Sequence, residues 1–165
     1  MTSPEKKLRT LEDLRNECRA WRSEGLEVVL VIGAFVVLHV GHLRFLAGAR
    51  ALGDRLVVAV NSDQSVKAGK GDKRPIIPED ERAEILSHLE VVDRICLFDS
   101  LTVSPILEAL QPQIHAKGTD YTVETVPERE VVAAYGGRTE ICGDPKDHAT
   151  TDLIGLLLER FGSES

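Results

Sequence analysis

Short apolar runs alternate with segments of helical spacing along most of this chain. The clearest run is VVLVI at 28–32, which lies between two glycines. Five residues are too few for a buried helix, but they suit a strand that is buried on both faces of a parallel sheet. Similar runs predict four further strands, at 55–61, 94–98, 114–116 and 138–142. This alternation predicts one α/β domain with a doubly wound parallel sheet and right-handed crossovers.

Six helices are predicted between and around these strands, at 8–24, 43–52, 78–89, 103–110, 126–134 and 151–161. The first has apolar residues at helical spacing and is predicted to be an amphipathic N-terminal helix. We assign residues 1–24 to an N-terminal helical extension, 25–161 to the α/β domain and 162–165 to a frayed tail. The polar segment 62–73 contains glycines, and it is predicted to be a loop.

Composition narrows the classes of protein that this chain can belong to. The 165 residues are 42% hydrophobic and carry a net charge of −7, so a broad surface for nucleic acid is not expected. The three cysteines form no C-x-x-C pair, which argues against a disulfide framework or a cysteine zinc site. No run reaches the ~20 apolar residues of a membrane span, and no signal peptide is visible. We expect a cytoplasmic protein that acts on something small.

The segment GAFVVLHVGH at 33–42 joins the first strand to the next helix. His39 and His42 flank Gly41 where a helix begins, and the unpaired N–H groups of a helix start bind anions. Ligands of doubly wound sheets bind at the carboxyl ends of the strands. Two ordinary surface histidines are the alternative, but this position favours a phosphate site.

This segment resembles the G-x-F-D-x-x-H-x-G-H hallmark of the nucleotidyltransferase superfamily of cytidylyltransferases and adenylyltransferases, which has a Rossmann-like fold. Over residues 10–160 the chain is most similar to the adenylyltransferase domain of bacterial ADP-heptose synthases. The motifs that carry this similarity are LVVAVNSD at 56–63, GDKRPI at 71–76, PEDERAEIL at 78–86, AKGTDYTVETV at 116–126, AYGGR at 134–138 and TTDLI at 150–154.

The resemblance implies transfer of AMP from ATP to a heptose 1-phosphate, with release of pyrophosphate and with Mg²⁺ bound through the nucleotide phosphates. A sugar phosphate is mostly dianionic at neutral pH and is already nucleophilic, so positioning and charge stabilisation are the main tasks. A separate sugar kinase is expected to supply the acceptor, because 165 residues leave no room for one. Family members often form dimers, so a homodimer is a further expectation.

The resemblance also nominates site residues. His39 and His42 are expected to donate hydrogen bonds to the triphosphate, and Lys117 to supply a mobile positive charge beside it. Expected contacts to nucleotide or acceptor are Gly33, Ala34, Phe35, Gly41, Asn61, Asp63, Lys70, Arg74, Arg82, Gly118, Asp120, Thr150 and Thr151. Lys73 belongs to the same basic cluster as Lys70 and Arg74. The bland alternatives stay open for several of these residues: Phe35 in the core, Arg82 in a surface salt bridge, Asp120 and Thr150 as capping residues. His88, His115 and His148 have no metal-ligand spacing, and no protein-bound metal is expected.

Three positions depart from the family pattern. Val36 replaces the aspartate of the hallmark, Ile32 stands at a position that is commonly polar, and Ala149 replaces the first residue of a Ser-Thr-Thr run. An isopropyl group accepts no hydrogen bond and does not assist a cation. Alternative functions are therefore a cytidylyltransferase for a polyol phosphate, an adenylyltransferase for FMN, or a nucleotide-binding protein with impaired catalysis.

Overall fold

A computed structural model describes residues 3–145 and 147–162, and within them one sheet of five parallel strands lies between layers of helices. The strands are β1 (Val28–Gly33), β2 (Arg55–Asn61), β3 (Arg94–Phe98), β4 (Ile114–Lys117) and β5 (Arg138–Ile141). The helices are α1 (Leu11–Ser23), α2 (Val40–Arg50), α3 (Asp63–Lys70), α4 (Glu79–Ser87), α5 (Ser104–Leu110), α6 (Arg129–Ala134) and α7 (Thr150–Phe161). The predicted doubly wound sheet and N-terminal helix are confirmed. Of the predicted tail, only Gly162 lies within the described residues.

The sheet buries both of its faces, which is why its strands are continuous apolar runs. Val29, Val31 and Val58 face one core together with residues of α2 and α4. Leu30 and Val57 face the other core, which α1, α5 and α6 cover. Side chains alternate between the two faces of a strand, so each run must be apolar throughout. None of the helices among the described residues has the length and apolar character that a membrane crossing requires.

The N-terminal segment packs against the sheet. Leu14 and Cys18 of α1 are fully buried in the core that Cys96 of β3 shares. Just before α1, the chain runs beside β3: Ile95 N–H donates to Lys7 O at 3.0 Å, and Arg9 N–H donates to Ile95 O at 2.9 Å. These bonds cover part of the exposed edge of the sheet, the position at which a strand can otherwise pair with another chain. The domain boundary between residues 24 and 25 stays a prediction.

The prediction of a loop at 62–73 is wrong, because residues 63–70 form helix α3. The Ser62 hydroxyl caps this helix by accepting a hydrogen bond from Ser65 N–H at 3.1 Å. The Glu79 carboxylate accepts another from Asp63 N–H at 2.5 Å. With Val66 buried, the helix gains tertiary packing that its low intrinsic propensity does not reveal. Gly69 indicated a loop, but it lies inside the helix and not beyond its end.

The strand order in the sheet is β3-β2-β1-β4-β5. The chain therefore adds β2 and β3 on one side of β1, and then β4 and β5 on the other side. Strand β1 pairs with β2 along its whole length, from Val28 to Gly33. With β4, it pairs only at Val29 and Leu30. The carboxyl ends of β1 and β4 therefore diverge, and a crevice opens between them. Such a switch point is where ligands bind in open α/β sheets.

His115 of β4 gives the first testable prediction. Its side chain is fully buried, and neither ring nitrogen has a hydrogen-bond partner among the described residues. Burial, followed by the charge of Lys117, lowers the pKa of His115 from 6.5 to about 4. As the pH falls from 6.5 to 4, the unfolded chain binds a proton at this residue and the folded chain does not. Stability is thus lost on acidification, by at most about 3 kcal/mol from this group.

Urea unfolding of native protein and of His115→Leu at pH 7.5 and pH 5 tests this linkage. We expect the variant to lose less stability between the two pH values than the native chain, because leucine does not titrate. His88→Leu is the matched control, since His88 is an exposed histidine. An equal pH dependence in native protein and His115→Leu would contradict the prediction.

Candidate active site

A cavity of about 380 Å³ opens between the diverging ends of β1 and β4. Its floor is the turn after β1 and the start of α2. One wall is the segment after β4, and another runs from the end of β5 to the start of α7. Lys70 and Arg74 reach it from the region that follows β2. The cavity thus lies at the switch point of the sheet.

Close packing shapes the turn after β1. Phe35 has a φ of +49°, a left-handed conformation that is uncommon for residues other than glycine. Its ring packs so closely over Gly33 that a Cβ there would lie 2.9 Å from Phe35 Cε2. The centre of the same ring lies 5.2 Å from that of His42. Phe35 is therefore a buried residue that also lines the cavity, and Gly33 provides the space for it.

Arg82 contacts the turn after β1 through a buried side chain. Its guanidinium is buried and donates to the Ala34 carbonyl, to Ile77 O at 3.0 Å and to Asp63 Oδ1 at 2.8 Å. It does not line the cavity. Arg82 does form an ion pair, with Asp63, but its side chain is buried and not on the helix surface, and it joins α4 to the turn after β1. Its role in the site stays a prediction.

The two histidines cap helix α2. His39 Nδ1 accepts from Gly41 N–H at 3.1 Å, and His42 Nδ1 accepts from His39 N–H at 3.3 Å. A neutral imidazole that accepts at Nδ1 carries its proton on Nε2. The rings stack with their centres 3.9 Å apart, and both line the cavity. Each ring therefore keeps an Nε2–H donor that its capping bond does not use.

Burial and neighbouring positive charges keep these rings neutral. Burial first, and then the charges of His39 and Lys70, lowers the pKa of His42 to about 4. Burial and the charge of His148 lower the pKa of His39 below its usual 6.5. A protonated ring would also give up its capping bond to the backbone. The site therefore presents neutral hydrogen-bond donors at physiological pH.

Positive charge is concentrated around this cavity although the chain is acidic. Burial, and then the charges of Arg74 and Arg82, lower the pKa of the Lys70 ammonium. Across the cavity, Lys117 Nζ lies 4.5 Å from the centre of the Tyr121 ring. An anion in the cavity would relieve the repulsion among these groups, which is how a net negative protein concentrates binding at one place.

Hydrogen bonds join the wall between β5 and α7 to helix α2 and to the segment after β4. Asp144 accepts from Arg44 of α2 at 2.6 Å, and its carbonyl accepts from the Thr119 hydroxyl at 2.6 Å. Cys142 N–H donates to Lys117 O at 3.0 Å. Burial raises the pKa of the Cys142 thiol to about 11, so this cysteine is protonated at neutral pH and is a poor nucleophile.

Comparisons with known proteins show the family of the chain. The sequence model of the cytidylyltransferase-like family matches residues 30–155. The chain belongs to the cytidylyltransferase-like family. It is 42% identical to the bifunctional protein HldE of Trichlorobacter lovleyi over 96% of its own length and 32% of that protein. It is 45% identical to HldE of Pelobacter propionicus over 86% of its length and 29% of that protein.

The chain is also similar to a solved structure. The lipopolysaccharide core biosynthesis protein from Thermoplasma volcanium superposes with a TM-score of 0.60 at 31% identity, covering 71% of this chain and 94% of that one. These similarities confirm the resemblance to the adenylyltransferase domain of ADP-heptose synthases and make the chain a nucleotidyltransferase. It spans about a third of the length of the curated relatives.

Most residues nominated from the sequence meet in this cavity. Those that line it are Gly33, Ala34, Phe35, His39, Gly41, His42, Lys70, Arg74, Lys117, Gly118, Asp120, Thr150 and Thr151. Asn61 and Asp63 do not line it: Asn61 donates to Ser65 Oγ at 2.8 Å, and Asp63 binds Arg82. Lys73 also lies outside the lining. The roles of all these residues stay predictions.

Several lining residues were missed from the sequence, among them Thr119, Tyr121, Asp144 and His148. His148 stands two residues before Thr150, at the start of a helix that was already nominated, so its position was a usable signal. Asp144 and Thr119 are 25 residues apart and meet only through tertiary structure.

All three departures from the family pattern, Ile32, Val36 and Ala149, line the cavity. Val36 lines it but is only 2% exposed, so it presents little surface to a ligand. Ala149 is the N-cap of α7 and supplies no side-chain cap. Within the described part of the chain, no three His, Cys, Asp or Glu side chains are grouped as a metal site would require.

Removing the Arg82 guanidinium should destabilise the protein. Arg82→Met retains apolar bulk but leaves the buried acceptors Ala34 O and Ile77 O without their donor. We expect the free energy of unfolding to fall by about 3 kcal/mol. Arg44→Met removes an exposed ion pair and should cost less than about 1 kcal/mol. Chemical denaturation of both variants measures this difference, and equal effects would contradict the structural role of Arg82.

Proposed function

We propose that this chain transfers AMP from ATP to a sugar 1-phosphate, a heptose 1-phosphate above all, and forms an ADP-sugar and pyrophosphate. The observation that carries this proposal is the convergence of two neutral Nε2–H donors with Lys70, Arg74 and Lys117 around one cavity. Such a cavity suits a chain of phosphates, and the Cys142 thiol in its lining is protonated at neutral pH and is a poor nucleophile. The HldE relatives support the choice of acceptor.

The reaction needs no covalent intermediate on the protein. An oxygen of the sugar phosphate attacks the α-phosphorus of ATP and forms a new P–O bond. The bond from that phosphorus to the α,β-bridging oxygen breaks, and its electron pair leaves with pyrophosphate. Because the acceptor is mostly dianionic at neutral pH, no general base is required. The tasks left to the protein are to align the two phosphates and to stabilise the charge that develops between them.

His39 and His42 are suited to that second task. As neutral donors they hydrogen-bond to the oxygens of the phosphorus under attack, and their capping bonds hold the rings in place before substrate arrives. Preorganised donors of this kind are effective because they need no reorganisation during the reaction. Lys70, Arg74 and Lys117 offset the negative charge of the remaining phosphates.

Mg²⁺ held by the phosphates of ATP would offset part of their charge, alongside Lys70, Arg74 and Lys117. A sugar kinase supplies the acceptor. The relatives are described as bifunctional proteins, and this chain matches only about a third of each. The proposal therefore concerns the nucleotide-transfer step alone.

His39 can be replaced without removing a side-chain cap from helix α2, whereas His42→Ala also removes the acceptor of His39 N–H. Asparagine is a favoured N-cap residue, so His39→Asn keeps a capping acceptor and removes Nε2. We expect His39→Asn and His42→Ala each to lower kcat by ~10²-fold or more, since loss of one transition-state donor commonly costs that much. His88→Ala, at an exposed site outside the cavity, should keep full activity. Unchanged turnover in either cavity variant would remove that histidine from the mechanism.

The choice of substrates is tested by pyrophosphate release. The chain is assayed with each of the four nucleoside triphosphates against heptose 1-phosphate, a polyol phosphate and FMN. We expect ATP with heptose 1-phosphate to give the highest kcat/KM. A preference for CTP with a polyol phosphate, or for ATP with FMN, would replace the proposed reaction by one of those alternatives.

One observation favours a second candidate, a nucleotide-binding protein with impaired catalysis. Val36 stands where the family hallmark has an aspartate, and its buried isopropyl group provides no acceptor there. Calorimetry with ATP separates the two functions. If the native chain binds ATP but neither it nor Val36→Asp releases pyrophosphate with any acceptor, the second function replaces the first.

A further inference from the structure

The ammonium group of Lys117 has an aromatic partner. Its Nζ lies 4.5 Å from the centre of the Tyr121 ring, and both residues line the cavity. A cation within about 6 Å of a ring centre is attracted to the negative face of the ring. Among the residues that the structure describes, no ion pair joins Lys117 to a carboxylate. The ring is therefore the partner that this positive charge has before a ligand binds.

The backbone fixes both ends of this contact. Lys117 is the last residue of β4 and pairs with Ile141 of β5, and its carbonyl accepts from Cys142 N–H at 3.0 Å. The chain then turns back, because Tyr121 N–H donates to Gly118 O at 3.1 Å. This turn returns the Tyr121 ring to the Lys117 side chain. What the backbone leaves free is the flexible stem of the lysine.

That stem has several rotatable bonds, so holding the ammonium at one place costs conformational entropy. With no partner in the ligand-free chain, the stem would lose this freedom only when a phosphate binds. The contact with Tyr121 already restricts the stem in the ligand-free chain. Less entropy is then lost on binding, which is the advantage of a preorganised group.

An aromatic ring also holds a cation without neutralising it. The contrast is Arg44, whose guanidinium forms an ion pair with the Asp144 carboxylate at 2.6 Å. A ring has no net charge, so Lys117 keeps its full positive charge beside the cavity. The attraction comes from the face of the ring, and the phenol hydroxyl is not needed for it. A phosphate can approach the ammonium on the side that the ring leaves open.

We propose that Tyr121 is a positioning residue for Lys117, and that its ring holds the ammonium at the cavity for the phosphates of the substrate. This inference rests on the proposed function, in which Lys117 offsets phosphate charge. Tyr121 acts through Lys117 and not by stacking on the base of the nucleotide. A variant that keeps the ring therefore keeps the function, and a variant without the ring has an effect only while Lys117 is present.

The first test needs no substrate. In NMR spectra of the ligand-free full chain, the ring current of Tyr121 should shift the protons on Lys117 Cε upfield, because the end of this side chain lies over the ring. The upfield shift should persist in Tyr121→Phe and disappear in Tyr121→Leu. Tyr135→Phe is the matched control, since Tyr135 lies outside the cavity, and it should leave the shift unchanged.

The second test is a double-mutant cycle on kcat/KM for ATP, measured by pyrophosphate release with heptose 1-phosphate. We expect Tyr121→Leu to lower it about fivefold, the size of one cation–π contact, and Tyr121→Phe to stay within about twofold of native. Lys117→Met should lower it by about tenfold or more. Adding Tyr121→Leu to Lys117→Met should cost less than about twofold further, and Tyr135→Phe should keep full activity.

Every other result overturns a definite part of the argument. If Tyr121→Leu costs as much in the Lys117→Met background as in the native chain, Tyr121 acts on the substrate directly and the proposal is wrong. It is also wrong if Tyr121→Phe loses as much activity as Tyr121→Leu, or if the upfield shift is missing in an active native chain. If the shift is present but the native chain neither binds ATP by calorimetry nor releases pyrophosphate, the proposed function fails and this inference fails with it. Circular dichroism checks that each variant is folded.

Discussion

The site depends on the divergence of β1 and β4 after only two residue pairs. Strand β1 continues to Gly33 beside β2, while β4 continues to Lys117 beside β5, so the sheet is split only at its carboxyl end. The gap admits a ligand while Phe35 and Ala116, core residues that line it, stay buried. It also brings the turn after β1, the segment after β4 and the start of α7 to the edge of one cavity.

Within that gap, the same atoms serve structure and chemistry. His39 Nδ1 and His42 Nδ1 accept backbone hydrogen bonds at the start of α2, and these bonds decide which nitrogen of each ring keeps its proton. The helix start is thereby capped, and the donors that line the cavity are fixed in tautomer and orientation. Gly33 and Gly41 contribute by having no side chain: one leaves space for the Phe35 ring, the other for His39 and His148.

The chain is acidic overall, yet positive groups that suit an anion line its cavity. A net charge of −7 excludes a broad basic surface, yet Lys70, Arg74 and Lys117 line one cavity, and Arg82 lies buried behind it. The ion pair between Arg44 and Asp144 also makes the site less negative, because it neutralises a carboxylate at the edge of the cavity. Local concentration of charge, and not the total, is what suits this site to anions.

All five strands could be predicted because a strand buried on both faces needs an unbroken apolar run, and such runs are visible in the sequence. Helix α3 could not, since its stability comes from the burial of Val66 and from the carboxylate of Glu79, 16 residues after Asp63. The motif residues around His39 and His42 could be nominated by local spacing and resemblance. Three other features involve residues that are far apart in the chain. They are the hydrogen bonds of Arg82, the pairing of Asp144 with Arg44 and the approach of His148 to Gly41. The parallel sheet and the helix start that carries the histidines follow from local patterns of residues along the chain. Which distant side chains meet at that helix start depends on how the strands are ordered in the sheet, and that order is a property of the folded chain.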